Sequence, residues 1–179
     1  MATARHPRPP ELEHASLEDI AARYVGRFRD KTPDWAAFED AKIEGFKRAQ
    51  HRFIGAGGSG KHDDASAIPA RGFTLSIMYV EPGQGNAAHT HEVEEVFFVL
   101  QGFLDVFFED EAGNKAWRRL APWECAACPP GVIHGYENRS LEPVYFQVML
   151  GRAQPELMGY ASDDLFQKRD GHLKSIPRG

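Results

Sequence analysis

The chain has 179 residues, 42% of them hydrophobic and 26% charged, with a formal net charge of −5. That length suits one domain with a sizeable core and is short for two. A net negative chain is a poor partner for nucleic acid or an anionic membrane surface, and no apolar run approaches the ~20 residues of a bilayer span.

In chain order, residues 1–14 are polar and proline-rich (Pro7, Pro9, Pro10) and read as a mobile arm without the apolar centre of a secretory signal. Two cysteines cannot build a disulfide scaffold, so the expected compartment is the cytoplasm. Residues 15–68 read as a helical extension and a loop. Ser16 and Asp19 form a capping-box pattern, and Leu17, Ile20, Tyr24 and Phe28 recur at helical spacing, which predicts a helix over 17–28. Thr32-Pro33-Asp34 looks like a second helix start, with Trp35 and Phe38 on its apolar side. Lys47 to Arg52 is the one locally basic stretch of the first half, short and mixed with apolar residues. Gly55 to Gly60 reads as a flexible loop that continues through Lys61, His62, Asp63 and Asp64 to Pro69. From 69 to 151, short runs at strand spacing (73–80, 96–100, 103–108 and 144–150) are separated by Gly/Pro/Asn turns, which predicts an antiparallel sandwich or barrel. The tail, 152–179, is polar, with one short helix expected near Asp163 to Lys168.

The chemistry concentrates in two stretches of the strand-rich region. Residues two apart in a strand point to one side, so His89 and His91 project together, and a short turn lets Glu95 aim back at the same point. Some forty residues on, a PPG turn precedes His134. Neutral imidazoles and a carboxylate suit one divalent transition metal ion: Fe, Mn, Co, Ni, Cu or Zn. Around an octahedral ion these four donors leave open positions, unlike a closed, thiolate-rich structural zinc site. If Glu95 faces inward, so do Phe97, Val99 and Gln101, while Val96, Phe98 and Leu100 face outward. That outer side is apolar and must be covered by a second sheet, the N-terminal segment or another subunit, and a homodimer is expected. Cys125 and Cys128 lack the further soft ligands of a zinc site and read as two small buried residues.

These residues resemble the two motifs of the cupin superfamily. Gly83, His89, His91, Glu95 and Gly102 fit G-x5-HxH-x3,4-E-x6-G, and Pro129, Gly131, His134 and Asn138 fit G-x5-PxG-x2-H-x3-N. The leading glycine of the second motif is replaced by Trp123, so that turn is expected to be built differently. Gly102 and Gly131 are expected in turn conformations, and Asn138 is expected to close a turn. The resemblance implies an all-β jelly-roll barrel with a short N-terminal helical extension, and His89, His91, Glu95 and His134 as metal ligands, Fe(II) favoured. It implies an oxidoreductase: a dioxygenase acting on a small carbonyl or hydroxyaryl compound. Two other readings stay open. One is a non-oxidative metal-dependent isomerase, lyase or decarboxylase, with Tyr136 or His62 as candidate base. The other is a small-molecule-binding module without catalysis. Gln147, Tyr136, Phe97, Val99 and Met78 are the candidate pocket residues.

Overall fold

The computed structural model describes residues 6–175, so the first five residues of the expected arm and the last four of the tail lie outside it. Ten strands follow in order: β1 (Ala49–Ile54), β2 (Thr74–Val80), β3 (His89–Thr90), β4 (Glu95–Gln101), β5 (Leu104–Glu109), β6 (Lys115–Leu120), β7 (Cys125–Cys128), β8 (Ile133–Glu137), β9 (Val144–Leu150) and β10 (Gly159–Tyr160). They form two antiparallel five-stranded sheets, ordered β1-β2-β9-β4-β7 and β10-β3-β8-β5-β6. The architecture is the expected all-β jelly roll, drawn as two facing sheets rather than one continuously hydrogen-bonded barrel.

The core lies between the sheets. Phe97 and Phe146 of the first sheet meet Tyr136 of the second edge to face, with ring centroids 5.3 and 4.8 Å away. Along β4 the predicted alternation holds: Glu95, Phe97 and Val99 are buried, Val96, Phe98 and Leu100 half-buried. A register shift after Val99 ends the pattern, and Gln101 is exposed rather than inward.

Three turns keep these strands in place. Gly102 has φ +81, and a Cβ there would sit 2.6 Å from the Pro143 carbonyl oxygen, so only glycine fits. Asn138 donates to the carbonyls of Val80 and Glu142 and accepts from Ser140, closing its turn as expected. Trp123 corrects the third expectation. Its φ of +73 keeps the left-handed turn that a glycine would make, and the indole lies edge-on to Phe98. The turn is left-handed and carries a residue strained there.

The N-terminal extension is less helical than its pattern suggests. Helix α1 (Leu17–Tyr24) has the Ser16–Asp19 capping box but stops four residues early, where Val25 turns extended. Phe28 instead packs against His51 and Tyr145 on the outer face of the first sheet. No second helix starts at Thr32: Asp34 and Gln50 exchange both backbone hydrogen bonds, and Trp35 stands edge-on to Tyr79. Tertiary pairing overrides the local Pro-Asp signal here. β1 falls inside the stretch read as helix and loop, and it pairs antiparallel with β2. The extension is therefore a strap that covers the β1–β2–β9 end of the outer sheet face. Helix α2 (Asp163–Ser175) closes the described chain and is longer than expected. No helix among the described residues is long and apolar enough to cross a membrane.

Candidate metal centre

The second sheet sets two histidines side by side. His89 of β3 pairs directly with His134 of β8. His91 follows β3, and Glu95 opens β4 in the opposite sheet. The donor atoms of His89, His91, Glu95 and His134 all lie within 4.8 Å of one another, and all four residues are buried. Glu95 is the hub: its Oε2 is 2.8 Å from His134 Nε2 and 3.4 Å from His89 Nε2, and its Oε1 is 3.5 Å from His91 Nε2.

Backbone carbonyls orient two of the rings. His89 Nδ1 lies 3.0 Å from the Ala87 oxygen, and His134 Nδ1 lies 2.7 Å from the Val132 oxygen. A carbonyl only accepts, so each Nδ1 carries the proton, the 3.0 Å contact to Ala87 outweighing Asn86 Nδ2 at 3.3 Å from His89 Nδ1. Each ring when neutral has its Nε2 lone pair toward the centre. His91 differs, because neither of its buried nitrogens has a hydrogen-bond partner among the described residues. A buried imidazole without a partner is costly. A cation among the four donors removes that cost, so this residue set can hold a metal ion.

The electrostatics agree. Burial alone would raise the Glu95 carboxyl, but the imidazoles, His91 foremost, hold it well below the usual carboxylate range. Burial pushes His89 down to about 4, so that ring is neutral. Burial would also lower His134, yet its hydrogen bonds with Cys128 and Glu95 push it up to about 10. A proton and a metal ion thus compete for the same His134 lone pair.

Beside these donors is a cavity of about 30 Å³, room for one or two water molecules. Of the five pocket candidates, Met78, Phe97 and Tyr136 line it. Val99 does not; it sits in the core next to them. Gln147 does not either. It pairs with Ile77 and Phe98 on the outer face, and the inward residues of β9 are Phe146 and Val148. The phase of β9 is therefore the reverse of the one that favoured Gln147.

The strap supplies lining that the motifs do not announce: Phe38, Arg48, Gln50, Gly57 and Gly58. The basic stretch 47–52 is β1 and its approach, with Arg48 and Gln50 turned inward and buried. Period-two alternation of Arg48, Gln50 and Arg52 was the available signal. The glycine loop is not a free linker, because residues 56–59 are buried. A Cβ on Gly58 would come 3.3 Å from His91 Cε1, and one on Gly57 (φ +60) 2.9 Å from Gln50 Nε2. Arg52 fastens this cap through Asp34 and Asp64, at 2.7 and 2.6 Å, and Lys61 joins at Asp34. His62 lines a separate surface groove of about 560 Å³ that contains none of the four donors. Strand parity parts the two cysteines: Cys125, beside Phe98, is exposed, and only Cys128, beside Glu95, is buried.

Comparison with known proteins adds a family and a fold. Residues 76–150 match the model of a family described as a cupin domain. A germin-like protein (subfamily 2 member 1) of Arabidopsis thaliana is 37% identical over 73 residues, which cover 40% of this chain and 33% of that protein. The matched chain thus spans about a third of the length of such curated relatives. Among solved structures, the polyketide cyclase RemF from Streptomyces resistomycificus superposes with a TM-score of 0.61 at 17% identity, covering 82% of this chain and 92% of that one. A cupin 2 domain-containing protein from Halorhodospira halophila gives 0.53 at 17% identity over 74% and 84%. At these identities the likeness is one of fold.

Proposed function

The chain belongs to the cupin superfamily, and from that premise we propose that it is a metal-dependent oxidoreductase, an Fe(II)-type dioxygenase acting on a small carbonyl or hydroxyaryl compound. The observation that carries the metal is His91, whose two buried nitrogens lack partners within a His3Glu group. An iron(II) ion held there would supply Lewis acidity and redox chemistry with dioxygen. The chain's own residues do the rest. Ala87 and Val132 carbonyls hold two rings in their ligating tautomer. Met78, Phe97 and Val148 make an apolar wall, and the Gly57–Gly58 cap keeps bulk water out. A cavity this small admits only the reactive head of a substrate.

The test is anaerobic loading with Fe(II), then substrate, on an oxygen electrode. Oxygen uptake with a diketone or hydroxyaryl ketone is the expected result. Only tightly held zinc or nickel in protein from its own host, with no oxygen consumed, would overturn it. One observation favours a second reading, a non-oxidative isomerase, lyase or decarboxylase. The Tyr136 hydroxyl makes no hydrogen bond among the described residues, and burial raises its pKa, so it stays protonated and can orient a substrate oxygen by donating a hydrogen bond rather than serve as the base. Turnover under nitrogen would select that reading.

The enzyme is further read as a cytoplasmic homodimer. The strap leaves Val96, Phe98, Leu100 and Met149 half-buried on the outer face, and a second copy would cover them. Phe98→Asp should then give a monomer by light scattering.

A further inference from the structure

The cavity has a polar wall opposite the apolar one, and two of its groups are incompletely bonded. Arg48 is 1% exposed. Its Nη2 donates to Asp40 (2.8 Å) and its Nη1 to the Phe46 carbonyl (3.0 Å), while its Nε–H makes no hydrogen bond among the described residues. The Tyr136 hydroxyl is likewise unbonded in a residue 3% exposed. Both residues line the cavity that the His3Glu group lines. Neither atom is among the fully buried unpartnered ones, so both open onto the void, where two unbonded donors can receive one shared acceptor.

Charge says what kind. Asp40 cancels Arg48 and is itself held below its ordinary value: burial alone would raise it, but the Arg48 charge and hydrogen bond outweigh that. Glu95 would cancel half the charge of a divalent ion held there. One positive charge is left among low-dielectric walls, where it is poorly screened by water. Volume says how large: about 30 Å³ admits a carboxylate or enolate head and little more.

We propose that Arg48 and Tyr136 form an anion-receiving wall beside the metal centre, and that the substrate presents a single negatively charged oxygen group, a carboxylate or enolate, to it. Arg48 and Tyr136 are then specificity-determining residues. Arg48 lies outside the family-matched segment 76–150 and Tyr136 inside it, so the charged half of this wall comes from the strap. The proposal rests on the metal reading above.

The test uses the full chain loaded with cobalt(II) and titrated with acetate or acetamide, which differ in charge and hardly in shape. The visible spectrum of the cobalt reports occupancy of the cavity, and metal analysis reports cobalt content. The parent should show saturable binding of acetate and none of acetamide at equal concentrations. Tyr136→Phe should bind one cobalt and weaken acetate about tenfold or more, the loss expected for one hydrogen bond to a charged acceptor. Arg48→Lys, checked for folding by its melting temperature, should do the same. Should it fail to fold, Tyr136→Phe decides alone. Equal binding of acetate and acetamide, or unchanged acetate affinity in a Tyr136→Phe protein that holds its cobalt, would overturn the proposal and leave the metal reading intact. No uptake of cobalt by the parent would overturn both.

Discussion

Asp40 and Glu95 are both buried carboxylates, Glu95 lining the cavity and Asp40 bonded to the lining residue Arg48, and they are satisfied in different ways. Asp40 Oδ1 receives Arg48 and the Tyr160 hydroxyl, and its Oδ2 receives the Ala87 amide. Those bonds pin the strap to the segment before β3 and to β10. Glu95 has one bond of 2.8 Å, two longer contacts, and a histidine beside it with no hydrogen bond at all. The first cluster is complete without help and is structural. The second is complete only with a cation. Burial of charge alone does not mark a functional site; an incomplete set of partners does.

Several substitutions can break or sharpen that contrast. The largest effect is expected from Asp40→Ala, which strands the buried Arg48 cation and should cost about 3–5 kcal/mol in urea unfolding. A cost near that of a surface carboxylate would show that the Asp40 cluster is not structural. At the metal group, His134→Ala should weaken metal binding by about 100-fold or more, read by metal analysis after dialysis, whereas His62→Ala should leave it unchanged. Equal losses would mean that the four donors are misassigned. Conversely, metal at about 100 times its Kd should stabilise the parent by about 2.7 kcal/mol and the His134→Ala protein hardly at all. The pH dependence follows from Asp40. Its folded pKa is lowered, so the unfolded chain takes up the proton first as the solution is acidified. Its contribution is fully present above pH ~4 and is lost as pH falls through the lower folded value. Unfolding midpoints should drop over that range, and less steeply for Asp40→Asn. Smallest, Trp123→Gly should relieve the φ +73 turn and raise monomer stability by about 1 kcal/mol in thermal melts.

The metal group was legible because strand parity, a short turn and a second motif all bear on local spacing. The jelly roll was legible for the same reason, since closely spaced strands with Gly/Pro turns leave few alternatives. The strap was not. Arg48 reads as one more surface cation until Asp40, eight residues away, is seen buried with it. The Thr32-Pro33-Asp34 signal is a good local helix start that lost to pairing with Gln50, sixteen residues on, and no local rule sees that partner. Gln147 was misplaced because β9 is apolar on both faces, so its phase is fixed by neighbours across the sheet and not by its own alternation. The small polar Thr74 and Ser76 point inward, while the larger Leu75 and Tyr79 point out, so size alone was a poor guide to the inside of β2.

Trp123 also gives the molecule an optical reporter. The chain has three tryptophans, and this one is 75% exposed, edge-on to Phe98 in the part of the outer face that the strap leaves open. With Trp35 and Trp117 replaced by phenylalanine, the emission comes from that face alone. A second copy docking there would move it to shorter wavelength as the protein is concentrated, and acetate entering the cavity on the other side of β4 would leave it where it was.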